Sequence, residues 1–149
     1  MTVCKIQFAS AKCVGCGACV TACIDQNDTD IAHGQRPRRH IAENVTLIGD
    51  KVCLNFSSKA CRHCNPAPCQ QACPENCFIR SPNTNFVLLE TKDCIHCGCC
   101  VSACPFQAIA THHGHPDKCD GCDVRVQFGM LPACVRTCIT GALTLRSDG

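Results

Sequence analysis

Cysteine governs the chemistry open to this sequence: twenty of its 149 residues are Cys, and sixteen of these fall into four regularly spaced runs. The runs are Cys13-x2-Cys16-x2-Cys19-x3-Cys23, Cys61-x2-Cys64-x4-Cys69-x3-Cys73, Cys94-x2-Cys97-x2-Cys100-x3-Cys104 and Cys119-x2-Cys122-x11-Cys134-x3-Cys138. Three thiolates on a tight loop suit three irons of one cubane cluster, while the fourth, one helical turn further on, points away and reaches a neighbouring cluster. Four runs therefore predict four [4Fe-4S] clusters in a chain that conducts electrons. Zinc is the rival metal, because Cys-x2-Cys pairs also build zinc ribbons. The simple first and third runs argue against it: so many thiolates in so short a stretch are awkward for one tetrahedral ion and natural for a three-plus-one cubane arrangement.

The elements that must hold these sulfurs are short. Gly15, Gly17, Gly98 and Gly121 lie inside the loops, where a missing β-carbon permits left-handed backbone and lets amides approach cluster sulfur. Pro74 and Pro105 follow the last cysteine of runs two and three and stop a short helix there, whereas runs one and four carry Ile24 and Ile139. The first and third runs are near copies, and the second and fourth share a proline just before the third cysteine (Pro68, Pro132), an order that suggests tandem duplication. Short strands are predicted from Val3 to Phe8, from Phe86 to Glu90 and from Ala142 to Leu145, each with one side on a cluster. The cysteine-poor stretch 25–59 reads as an insertion wrapping the cluster core, with an Asn44 to Leu54 hairpin around Gly49-Asp50.

Composition leaves little else to build a core. The chain has no Trp, no Tyr and six Phe, so metal-thiolate bonds are expected to replace much of the usual apolar packing. A secreted disulfide scaffold is disfavoured because the start of the sequence lacks a basic-then-apolar signal, and no apolar run is long enough to span a bilayer. A reducing, anaerobic cytoplasm is the expected location. The formal charge of +2 becomes about −6 once four oxidised clusters are counted, which argues against a nucleic-acid partner.

The four runs, with Cys23-Ile-Asp-Gln-Asn-Asp, Cys61-Arg-His-Cys-x2-Ala-Pro-Cys, Cys119-Asp-Gly-Cys and Pro-Ala-Cys134-Val-Arg-Thr-Cys, resemble the four-cluster polyferredoxins. Those are electron-transfer subunits of molybdenum or tungsten pterin oxidoreductases, formate-hydrogen complexes and carbon monoxide dehydrogenases. The resemblance covers nearly the whole chain and implies an α+β fold of two pseudo-symmetric bacterial-ferredoxin-like modules, with short helices and small antiparallel sheets around four clusters. One module comprises residues 1–24 and 111–149, the other 60–110, with 25–59 as the insertion. It also implies the iron ligands: Cys13, Cys16, Cys19 and Cys138 for one cluster, and Cys23, Cys119, Cys122 and Cys134 for a second. Cys61, Cys64, Cys69 and Cys104 then hold a third, and Cys73, Cys94, Cys97 and Cys100 a fourth. The repeat alone equally allows run one to share with run two. All sixteen positions are Cys, so four cubanes are expected rather than the [3Fe-4S] centre of some relatives.

Four cysteines remain. Cys99 aligns with Ala18 and Cys100 with Cys19, which makes Cys99 surplus. Cys4, Cys53 and Cys77 are expected as small buried residues near a cluster. His63 and His96 read as semi-exposed loop residues, with a role in tuning potential as the alternative; His112, His113 and His115 read as solvated residues of a Gly-Pro-punctuated loop. The Arg36 to Arg39 stretch docks a partner, holds acidic residues of its own fold or is a plain solvated face.

No acid-base pair, nucleophile motif or dinucleotide loop is recognisable, so no catalytic residue is assigned. By resemblance the partners are a pterin-tungsten, pterin-molybdenum or hydrogenase-type catalytic subunit, and a flavin subunit or ferredoxin. The narrower resemblance is to the small subunit of tungsten aldehyde oxidoreductases and to subunits of hydrogen-dependent carbon dioxide reductase, which can stack into filaments with copies of themselves. The chain is shorter than relatives carrying long insertions or a membrane anchor, so no direct membrane anchor is expected. The rival reading is a freely diffusing polyferredoxin or a cluster-maturation carrier.

Overall fold

The computed structural model describes residues 2–148. Each cysteine run spends most of its length on loop, so among the described residues no regular element exceeds nine residues. The fold is α+β and ferredoxin-like, with short helices and, among the described residues, four separate two-stranded antiparallel sheets.

Strand β1 (Val3–Phe8) pairs with β8 (Leu143–Asp148), from Val3↔Asp148 to Phe8↔Leu143. The alternation read from the sequence turns Cys4, Ile6 and Phe8 inward. This ladder joins the two ends of the described chain and sets run one beside run four. There α1 (Ala18–Gln26) packs against α5 (Ala133–Arg136), over a core of Cys19, Cys134, Val135 and Leu143.

The other half holds α2 (Pro68–Gln71), the pair β4 (Phe78–Arg80) and β5 (Val87–Leu89), and α3 (Cys99–Ala103). It also holds the hairpin β6 (Ile109–His112) and β7 (His115–Lys118). Its core is Ala67, Cys69, Cys77, Phe78, Val87, Cys100 and Ile109. Cysteine makes up a large share of both cores, in keeping with the scarcity of bulky residues. Phe86, fully buried, joins the halves: its ring lies 4.6 Å from that of His63 in run two and covers Gly121 in run four. Helix α4 (Asp123–Gln127) follows directly from run four's second cysteine.

Several expectations change in extent. The central hairpin, β2 (His40–Ile48) and β3 (Lys51–Lys59), runs well beyond residues 44–54, and β8 continues past Leu145. Residues around His112, His113 and His115 form the β6–β7 hairpin rather than an irregular loop. His113 and Gly114 sit at φ 48° and 81°, the left-handed pair that a tight two-residue hairpin turn uses. This hairpin straddles residues 110 and 111, where the sequence draws a module boundary, and β6 packs on α3. His113 and His115 are exposed, as expected.

At its inner end the β2–β3 hairpin wraps run one: the Phe56 ring covers Gly15. Its outer half exposes Val45 paired with Leu54 and Leu47 paired with Val52, each 51–74 % accessible, so four aliphatic side chains share one uncovered face.

Candidate metal centres

The residue before the second cysteine adopts left-handed backbone in all four runs: Gly15 at φ 69°, His63 at 48°, His96 at 57° and Gly121 at 74°. This conformation bends the Cys-x2-Cys loop back on itself. At Gly15 and Gly121 a β-carbon would also stand 2.4 Å from the Phe56 and Phe86 rings, so glycine is required twice over. Gly17 and Gly98, at φ 75° and 73°, start α1 and α3 immediately after the second cysteine.

The loops and helices bring the cysteines together in fours. Cys13, Cys16, Cys19 and Cys138 line one cavity, walled by Phe8, Ile41 and Leu143. Cys61, Cys64, Cys69 and Cys104 line a second, with His63 and Val87 in its wall. Cys73, Cys94, Cys97 and Cys100 line a third. Cys23 on α1, Cys119 and Cys122 in the run-four loop and Cys134 on α5 form the most enclosed group; all but Cys122 are buried. Burial first, then the Cys119 and Cys134 sulfurs, push the Cys23 thiol up to about 12, and burial pushes Cys122 up to about 11.

Backbone amides point at sulfur in a repeated pattern. After the last cysteine of three runs the chain returns to donate to it: Cys77 N–H to Cys73 Sγ at 3.3 Å, Ala108 N–H to Cys104 Sγ at 3.4 Å and Leu143 N–H to Cys138 Sγ at 3.4 Å. At Cys138 burial alone pushes the thiol up, but the Leu143, Thr140 and Ala142 hydrogen bonds outweigh it and the pKa ends below the ordinary thiol value. Within the loops, His63 N–H meets Cys61 Sγ at 3.4 Å and Gly121 N–H meets Cys119 Sγ at 3.3 Å. Donors of this kind favour thiolate over thiol.

His63 is half-buried, yet its ring nitrogens are enclosed. Nδ1 accepts from Val87 N–H at 3.0 Å, so the ring proton lies on Nε2, which is shielded from solvent with no partner among the described residues. Burial first, then the Lys118 ammonium, hold the imidazole down to about 3. His96 is exposed rather than semi-exposed, with Nδ1 3.1 Å from Gly114 O.

Two cations are buried against these groups. Arg39 is 4 % exposed and Lys118 3 %; neither has a carboxylate within 4 Å among the described residues. The rest of the basic stretch holds its own fold: Arg38 pairs with Asp117 at 2.8 Å and Asp120 at 3.4 Å, and Arg36 donates to Gln107 O at 2.7 Å. Cys99 is exposed and lies outside the cavity that Cys100 lines. Cys77 is buried in the wall of that cavity and Cys4 is buried beside Asp123, but Cys53 is only half-buried in β3, contrary to the expectation of a buried residue. Sequence reasoning missed Lys118, whose one signal is its place just before the first cysteine of run four, and the amides after runs two, three and four, which carry no side-chain signal at all.

These surroundings fit [4Fe-4S] chemistry. Among the described residues no three His, Cys, Asp or Glu side chains stand as ligands of a single metal ion; the thiols face one another across shared cavities instead. Buried cations without carboxylates are costly unless something anionic lies beside them, and a thiolate-bound cluster is anionic. His63 likewise lines the cavity of Cys61, Cys64, Cys69 and Cys104, and its buried Nε2 has no acceptor among the described residues.

The residues from 52 to 148 match the model of a family described as the 4Fe-4S dicluster domain. The chain is 35 % identical over 135 residues to Protein NrfC of Escherichia coli, covering 89 % of this chain and 60 % of NrfC. It is 36 % identical over 135 residues to the thiosulfate reductase electron transfer subunit PhsB of Salmonella typhi, covering 89 % of this chain and 69 % of PhsB. It is 33 % identical over 164 residues to the formate dehydrogenase iron-sulfur subunit of Wolinella succinogenes, covering 93 % and 78 % of the two chains. With the cysteine spacing, the ferredoxin-like fold and these likenesses in agreement, the chain belongs to the 4Fe-4S dicluster family, whose cofactor is the [4Fe-4S] cluster.

Proposed function

We propose that this chain is the electron-transfer subunit of an oxidoreductase complex and carries single electrons through four [4Fe-4S] clusters, one in each cysteine quartet. In the order of the path, these are Cys13/Cys16/Cys19/Cys138, Cys23/Cys119/Cys122/Cys134, Cys61/Cys64/Cys69/Cys104 and Cys73/Cys94/Cys97/Cys100. Bound clusters supply one-electron storage; the chain fixes their spacing, shields the inner pair and opens the outer pair to partners.

The observation that carries the reading is the grading of exposure along that order. Cys16 of the first quartet and Cys97 of the fourth are exposed, although Cys19 and Cys100 beside them are buried; no cysteine of the second or third quartet is exposed, and Cys23, Cys119 and Cys134 of the second are buried. A conduit needs open ends and a covered middle. The first two quartets share runs one and four, the last two share runs two and three, and Lys118 and Phe86 lie where the pairs meet. In module terms we assign the β6–β7 hairpin to the half of residues 60–110, since β6 packs on α3, with a boundary at about residue 118.

The partners follow by analogy, since relatives named above serve thiosulfate reductase and formate dehydrogenase. We assign one end to a catalytic subunit of the pterin-tungsten, pterin-molybdenum or hydrogenase type. The other end meets a flavin subunit, a ferredoxin or a further copy of this chain, in a reducing cytoplasm. The uncovered aliphatic face of the β2–β3 hairpin is the kind of surface that partner chains cover. No helix among the described residues is long and apolar enough to cross a membrane.

Anaerobic purification of the tagged chain from its native cells tests this reading. A catalytic oxidoreductase chain should co-purify at near-equal stoichiometry, and Cys23→Ala, in the middle of the path, should abolish transfer between the terminal partners while the catalytic chain still turns over with an artificial dye. Recovery of the chain alone, with four clusters and no partner, favours the freely diffusing carrier.

A further inference from the structure

Resting on the four-cluster reading, we propose that Arg39 and Lys118 set the potential profile of the path, making the centre of Cys23, Cys119, Cys122 and Cys134 the most easily reduced and that of Cys73, Cys94, Cys97 and Cys100 the least. Each cation lies between neighbouring quartets. Arg39 Nη1 donates to Ser58 Oγ at 2.8 Å, and that hydroxyl lies 3.8 Å from Cys19 Sγ of the first quartet. The same guanidinium also faces the second quartet: the Cys134, Cys119 and Cys19 sulfurs outweigh the effect of burial to hold its pKa above the ordinary value. Lys118 Nζ donates to Cys119 O at 2.6 Å in the second quartet and to Val87 O in the wall of the third quartet's cavity.

The count of buried cations beside each quartet is therefore one, two, one and none. Reduction adds one negative charge, and a fixed positive charge in a medium of low dielectric stabilises the reduced state. Three acidic groups lie near the second quartet, and the nearest buried one, Asp123, turns its carboxylate away to Thr84 and Gln127. Asp120 faces Cys119 and Cys122 but is partly exposed and engaged by Arg38, and Asp117 is likewise held by Arg38. The fourth quartet has no buried cation beside it, and Glu75 lies near its Cys97. An electron entering at the fourth quartet thus runs downhill to the second and is held there until the partner at the first quartet accepts it. The step is a one-electron reduction by an external low-potential donor, with no bond made or broken.

An EPR-monitored redox titration of the intact, anaerobically purified protein with dithionite tests this, with iron counted in every variant. R39Q and K118M should each lower the reduction equilibrium constant of the highest-potential step at least tenfold, about 59 mV for one electron. The double variant should lower it further, R39K should restore it, and the lowest-potential step should stay in place. Unmoved potentials with iron retained overturn the inference while leaving the four-cluster reading intact, and so does movement confined to the lowest-potential step. Loss of the same cluster in both R39Q and K118M also overturns it, because the cations would then hold the fold rather than the potential. Unsubstituted protein with fewer irons contradicts the four-cluster reading instead, and the shift of the remaining highest-potential step still decides the inference.

Discussion

The second and fourth quartets are built from the same residue type and differ in nearly everything around it. Cys23, Cys119 and Cys134 are buried between α1 and α5 beside two enclosed cations, whereas Cys97 is exposed at the start of α3 with Glu75 as its charged neighbour. The left-handed residue before the second cysteine differs as well: Gly121 lies under the Phe86 ring in one, and His96 points toward the β6–β7 turn in the other. Cysteine spacing thus accounts for where clusters can bind, and the surroundings account for what each can do.

The largest expected effect separates ligand from neighbour at the exposed quartet. Cys100→Ala should lose one cluster, about four irons per chain, while Cys99→Ala keeps its full iron content by colorimetric assay. Next comes the left-handed position. Gly121→Ala forces a β-carbon into the Phe86 ring at positive φ, so its charge-transfer absorption should bleach several-fold faster on anaerobic heating than in the unsubstituted protein. His96→Ala, already a side-chain position with an exposed partner, should change that rate little. Equal rates for the two would remove the distinction drawn between the quartets.

Oxidative attack should follow exposure. Under limiting oxidant, EPR signals of the clusters with the exposed Cys16 and Cys97 thiolates should decay before those of the buried second quartet. The smallest effect is at His63, which lines the third quartet's cavity with a partnerless Nε2. His63→Leu should lower the reduction equilibrium constant of one step by less than tenfold, through loss of a donor that a bound cluster could use.

How much of this was legible in the sequence follows from where the constraint lies. The strand Val3–Phe8 and the hairpin about Gly49-Asp50 were readable because alternation and turn residues are local signals. The grouping of Cys13, Cys16 and Cys19 was readable because a cubane dictates it. The neighbourhood of run one and run four was not, since the repeat allows either partner and the choice is made by the β1–β8 ladder between residues far apart in the chain. Strands β6 and β7 were hidden because His113-Gly114 is an unusual turn pair and Pro116 is a poor strand residue. Arg39 stood out only as one of several arginines, and its burial depends on Ser58 and Cys134, which no local pattern connects to it.

The central claim, that four quartets hold four cubanes, is tested most directly by iron and acid-labile sulfide per chain after anaerobic purification. The account predicts about 16 of each, with an absorption near about 400 nm that bleaches on reduction. Stoichiometric zinc with negligible sulfide would contradict it.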